Sequence, residues 1–144
     1  MPADARPLAA IALGGMVGAS ARYALELAWP PAPAGLPWAT LLTNAVGCLL
    51  IGVLMVYVVE RGGAHPLLRP FAGVGVLGGF TTFSTYAVQV DQRVDQPALA
   101  LAYLVATPVA ALLAVATGVA ATRGVLTLRG NLARQRAQSE KAPR

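Results

Sequence analysis

GGFTTFSTY, residues 78–86, lies inside an apolar stretch long enough to cross a membrane. Two glycines, four aliphatic hydroxyls and three aromatic rings are an unusual filling for hydrocarbon, where every polar group needs a partner. Gly78 and Gly79 permit a local departure from helical geometry that frees backbone carbonyls from the hydrogen-bond ladder, and a bound cation would replace the missing donors. Beyond the glycines, Phe83 and Tyr86 are three apart and share a face, Thr82 and Tyr86 are four apart, and Ser84 and Thr85 point elsewhere. Aromatic ring edges are electropositive, and hydroxyls rotate to donate. The set makes a dehydrated, donor-rich lane for a small hard anion, and no site for bond-making chemistry.

The rest of the chain supplies the membrane context. Of its 144 residues 56% are hydrophobic and 12% charged, about half the charge of a soluble domain. A transmembrane helix needs about 20 apolar residues. Four segments qualify, at 7–28, 38–59, 67–90 and 98–122, separated by PPAPAGLP (30–37), RGGAHP (61–66) and DQRVDQP (91–97). The expectation is an all-α membrane protein of four helices within residues 1–122, with the third helix broken mid-membrane. Residues 123–144, basic and low in bulky apolar side chains, are expected to form a disordered tail. The acid Asp4 beside Arg6, and an apolar block running past any plausible cleavage site, point to a first span that is retained.

The formal charge of +5 is not a nucleic-acid footprint, because the basic residues do not interleave with exposed aromatics. Nine of them, including Arg61, Arg69 and the tail arginines, fall on the side of the termini, and only Arg22 and Arg93 fall elsewhere. The positive-inside rule therefore places the termini in the cytoplasm. GxxxG pairs at Gly14/Gly18 and Gly75/Gly79 predict close helix packing. Cys48, the single cysteine, reads as a small buried hydrophobe, and His65 has no metal-ligand spacing around it.

Other polar residues inside the spans have two readings each. Asn44 is either a hydrogen bond between helices or a donor aimed at a passing anion. Arg22 either snorkels, pairing with Glu26 one turn on, or forms a positive vestibule. Tyr103 and Thr107 share one face of the fourth span. Thr107 could bond back to its own helix, and Pro108 kinks that helix or leaves a carbonyl free.

GGFTTFSTY resembles the GGxTTFSTF signature of the CrcB/Fluc fluoride channel family, and GGMVGASARY, TLLTNAVGCLLIG and the hydroxyl-bearing last span agree in order and spacing over residues 8–122. The resemblance implies passive export of fluoride across the plasma membrane, through two subunits packed antiparallel around a central sodium ion. It implies that the carbonyls of Gly78 and Thr81 hold the Na+. It also implies that Asn44, Phe83 and Tyr86 line the pore with the hydroxyls of Thr82 and Ser84, that Tyr103 and Thr107 form a hydroxyl track, and that Arg22 lies at a vestibule. The chain departs from the pattern at Tyr86 (a phenylalanine in the family), at Gln89 (often glutamate) and at Ala111, which ends the hydroxyl track. Its lopsided loop charges suit one orientation. That favours a heterodimer with an oppositely biased relative over an antiparallel homodimer.

Two rival functions remain at this level. A non-conducting structural subunit would keep the fold without the pore, whereas GGFTTFSTY and Asn44 are intact here. A small multidrug transporter needs a carboxylate deep in the first span, and Glu26 lies near that span's end. No nucleophile–base pair, metal cluster or phosphate loop suggests an enzyme.

Overall fold

The computed structural model describes residues 5–30, 35–60 and 65–141. Among the described residues four helical segments are long and apolar enough to cross a membrane: Ala5–Ala28, Trp38–Glu60, Arg69–Asp91 and one that begins at Pro97. We label the elements α1 (Ala5–Ala28), α2 (Trp38–Met55, continued by a wider π-wound turn, Val56–Glu60), α3 (π-wound Arg69–Leu77 passing into Gly78–Phe80), α4 (Ser84–Asp91) and α5 (Pro97–Lys141). Prolines set several boundaries: Pro30 follows α1, Pro37 precedes α2, and Pro97 opens α5, where its missing N–H costs no ladder bond.

The spans associate as two pairs, α1 with α3 and α2 with α5. Hydrocarbon gives helices no hydrophobic reason to associate, so contact depends on how closely the backbones approach. At Gly18 a Cβ would collide with the Val76 carbonyl, and at Gly79 it would sit 2.6 Å from the carbonyl of Gly15. The α2–α5 pair is built the same way, with Gly118 against the carbonyl of Leu49. Both GxxxG pairs thus serve packing.

That use of Gly79 corrects one expectation. Gly78 is helical, with φ −66° and ψ −35°. No helix spans residues 81–83, and Thr81 is extended (φ −78°, ψ 156°). The departure therefore falls at Thr81, two residues after Gly79. At Gly79 α1 leaves no room for a Cβ, whereas at Gly78 a Cβ would meet only the Gly73 carbonyl at 3.9 Å.

A second difference concerns the chain beyond residue 122. Sequence composition predicted a disordered tail, yet α5 continues to Lys141. At about 1.5 Å per residue its 45 residues measure about 68 Å, more than twice the ~30 Å hydrocarbon core. Most of residues 123–141 are good helix formers, and a helix already nucleated in the span extends at one bond per residue. Arg123 anchors the base of this extension by donating to Glu60 Oε1 at 2.7 Å, and residues 127–136 are exposed.

Candidate functional site

The two helix pairs meet at residues 81–83. Thr82 N–H donates to Asn44 Oδ1 (2.8 Å), and Asn44 Nδ2 donates to the Thr82 carbonyl (2.9 Å). An amide matched this way replaces both of the bonds a helix ladder would give Thr82, and it fixes α2 against the third span. The interhelical reading of Asn44 is therefore realised. It does not exhaust the side chain, because Nδ2 carries a second hydrogen.

The same bonds release carbonyls. In a continuous helix the Thr82 N–H would serve the Gly78 carbonyl, and the Thr85 N–H would serve that of Thr81. Here Thr82 N–H goes to Asn44, and Thr85 N–H goes to Thr82 Oγ1 (3.1 Å). The carbonyls of Gly78 and Thr81 are thus relieved of their ladder donors. The Gly79 carbonyl instead accepts from Arg22 Nε (3.3 Å), and Arg22 Nη1 pairs with Glu26 Oε1 at 3.1 Å. Arg22 is therefore a neutralised, structural cation in this arrangement.

Hydroxyls gather around Thr82. Its Oγ1 donates to Thr85 Oγ1 (3.1 Å) and lies 3.4 Å from Ser84 Oγ. The expectation that Ser84 and Thr85 point elsewhere is corrected: the first turn of α4 folds them back onto Thr82, whose hydroxyl caps the free N–H of Thr85. The expected shared face of Phe83 and Tyr86 is present, with ring centroids 5.6 Å apart in an edge-to-face arrangement. Phe83 is 79% exposed, whereas Tyr86 is buried.

Tyr86 resolves two questions that the sequence leaves open. Pro108 has no N–H, so the Leu104 carbonyl loses its helical partner. The Tyr86 hydroxyl donates to that carbonyl at 2.6 Å. This phenol therefore repairs α5 and is not a spare donor. Tyr86→Phe is expected to lower stability by about 1 kcal/mol while leaving the ring edge in place. Thermal unfolding of the purified protein checks this expectation.

Tyr103 is completely buried and donates to Gln89 Oε1 at 2.8 Å. Thr107, on the same face, is buried without a hydrogen-bond partner, so the expected back-bond to its own helix is not made. Thr107 borders a groove of about 310 Å³ lined also by Asn44, Thr81, Thr82, Phe83 and Tyr86, with Cys48, Pro108 and Ala111. Cys48 is half-buried at this wall and is not sealed in the core. Of the predicted pore set, Asn44, Phe83, Tyr86, Thr82 and Thr107 converge on the groove, whereas Ser84, Tyr103 and Arg22 are not among its lining. The groove has no formally charged side chain, and among the described residues no three His, Cys, Asp or Glu side chains cluster as a metal site.

The described residues thus combine four membrane-capable helices with a mostly apolar groove, free of formal charge, at the non-helical stretch of the third span. Residues 9–119 match the model of the family described as CrcB-like protein, Camphor Resistance (CrcB), and the chain belongs to that family. It is 51% identical over 124 residues to fluoride-specific ion channel FluC 2 of Nocardia farcinica, covering 85% of this chain and 89% of that one. It is 55% identical over 127 residues to FluC 1 of Streptomyces coelicolor (85% and 80% covered), and 50% identical over 121 residues to FluC 2 of Thermobifida fusca (83% and 90%).

Proposed function

We propose that this chain forms a passive, fluoride-selective channel, a multi-pass protein of the plasma membrane that lets fluoride leave the cell. The observation that carries the reading is the groove itself: neutral donors, one unspent Asn44 hydrogen and an aromatic edge at a point where the membrane span stops being helical. Fluoride is strongly hydrated, so a pathway must replace its water with donors yet hold it weakly enough for release. Neutral amides, hydroxyls and ring edges meet both needs, whereas a full positive charge in the groove would retain the ion. An inside-negative potential drives an anion outward by about 2.3 kcal/mol per charge per 100 mV, so no pump is needed.

In this reading residues 81–83 form a break at mid-membrane, and the carbonyls of Gly78 and Thr81 hold a sodium ion. Two carbonyls without ladder donors suit a hard cation. When bound, the ion supplies positive charge that offsets the freed carbonyl dipoles. The exposure of Phe83, a large apolar ring beside a polar groove, supports a second subunit that covers it. Antiparallel pairing places that subunit, and the lopsided loop charges favour a related partner over a second copy. Crosslinking the chain purified alone tests the choice: efficient antiparallel self-dimers exclude the obligate heterodimer. The same charges place the termini in the cytoplasm.

The direct test is efflux from liposomes holding this chain alone. The expected result is rapid fluoride discharge with chloride retained. Discharge of both anions alike removes the selectivity claim. If the chain alone passes no fluoride, and still passes none when co-reconstituted with a related subunit, the channel reading fails.

A further inference from the structure

Arg93 follows α4 at the end of the molecule away from the chain termini, and it is only 5% exposed. Its Nη1 donates to the Gln89 carbonyl (2.8 Å), while Nε and Nη2 both donate to the Gly35 carbonyl (3.1 and 3.0 Å). A guanidinium has five N–H donors, so these three bonds leave two unspent. Its charge is also unmatched. The ion pairs Arg22–Glu26 and Arg123–Glu60 do not involve it. Asp91 and Asp95, the nearest acids in sequence, are exposed and pair with nothing within ion-pair distance. Burying a cation without a counter-charge is costly, and a tie between two loops needs no charge at all.

The groups between Arg93 and the groove share this surplus of donors. Gln89 accepts from Tyr103 through Oε1, leaving its amide N–H groups unengaged. Thr40 and Thr107 flank the Tyr103 hydroxyl closely enough to interact with it, but neither buried hydroxyl makes a well-formed hydrogen bond. Thr107 also borders the groove. Unspent donors therefore run from Arg93 through Gln89 and Thr40 to the groove wall.

We propose that Arg93, with the Gln89 amide and the Thr40 hydroxyl, forms a second anion station, a capture site for a small halide such as fluoride between the groove and the end of the molecule away from the termini. The station rests on the reading of the groove as an anion path. A buried charge focuses its field and raises the local concentration of the opposite ion. The Gly35 and Gln89 carbonyls that accept from Arg93 temper that field, so the ion is gathered without being trapped. The benefit is greatest when fluoride is scarce.

Arg93→Gln and Arg93→Lys separate capture from loop-tying, because both can still donate to Gly35 and only lysine keeps the charge. In liposomes, R93Q is expected to discharge fluoride about tenfold more slowly at low fluoride and to approach the native rate at saturation, with R93K near native throughout. Native behaviour of R93Q at every concentration, or equal loss in R93Q and R93K, overturns the station. If R93Q fails to fold, Thr40→Val decides. It leaves the Gly35 tie intact, and the station predicts slowing at low fluoride only; no such slowing overturns it. If the native chain conducts nothing, the channel reading fails by itself and equilibrium binding judges the station. Fluoride then raises the melting temperature of native protein and R93K but not of R93Q. An equal response from all three, or none in any, overturns the proposal.

Discussion

Asn44→Asp is expected to abolish fluoride discharge from liposomes. The substitution keeps the shape of the side chain and exchanges an N–H donor for a carboxylate oxygen. The bond from Nδ2 to the Thr82 carbonyl is lost, and two acceptors then face each other across 2.9 Å. The groove, neutral in the native chain, acquires a negative charge where the anion must pass. Two unit charges about 4 Å apart in an effective dielectric of about 20 interact by about 4 kcal/mol. At 1.4 kcal/mol per factor of ten this is roughly a thousandfold loss of anion occupancy, before the damage to the α2 contact is counted. Stability falls as well, since one member of a buried reciprocal pair is left unsatisfied. Asn44→Ser separates the two effects: it introduces no charge, and flux should fall less than in N44D while stability falls comparably. Fluoride flux in N44D within tenfold of native would remove Asn44 from the pathway.

Phe83→Ile is expected to give the complementary result: flux lost and fold retained. Phe83 is 79% exposed and touches Tyr86 edge to face, so the protein's own packing loses little when the ring goes. An edge-to-face pair is worth about 0.5–1.5 kcal/mol, which bounds the expected drop in stability of the isolated subunit. Isoleucine keeps the site apolar and removes the electropositive rim, so the anion meets a wall with nothing to offer in exchange for its water. Discharge is expected to fall at least about a hundredfold, the equivalent of about 2.7 kcal/mol on the barrier. Intact elution on size exclusion, together with a near-native melting temperature, separates this loss from misfolding. Unchanged flux would mean that the ring serves only the subunit contact.

In the proposed reading the two substitutions differ because Asn44 is tied into the fold as well as set on the groove, whereas Phe83 is tied only to Tyr86. That distinction was not visible in GGFTTFSTY or TLLTNAVG. Sequence spacing places Phe83 and Tyr86 on one face because a helix repeats every 3.6 residues, and this holds in the structure. Spacing cannot say that the Tyr86 hydroxyl is consumed by the Leu104 carbonyl, since that depends on Pro108 in a different span. Arg93 shows the same limit. In sequence it is one basic residue in a short polar loop; in the fold it is buried against Gly35, which is 58 positions away.

What the sequence determined by itself follows from local rules: four spans, from runs of apolar residues matched to bilayer thickness; their ends, from prolines that cannot join a helix ladder; and close helix contacts, from glycines at four-residue spacing. These need only neighbours along the chain. The tertiary structure alone decided where the third span leaves helical geometry, because the Asn44 amide takes the Thr82 N–H from outside its own helix. It also decided which polar groups are spent on the fold and which remain for a ligand. In a medium without water every donor must find a partner in the protein or in its cargo, and only the assembled helices show which of the two it has found.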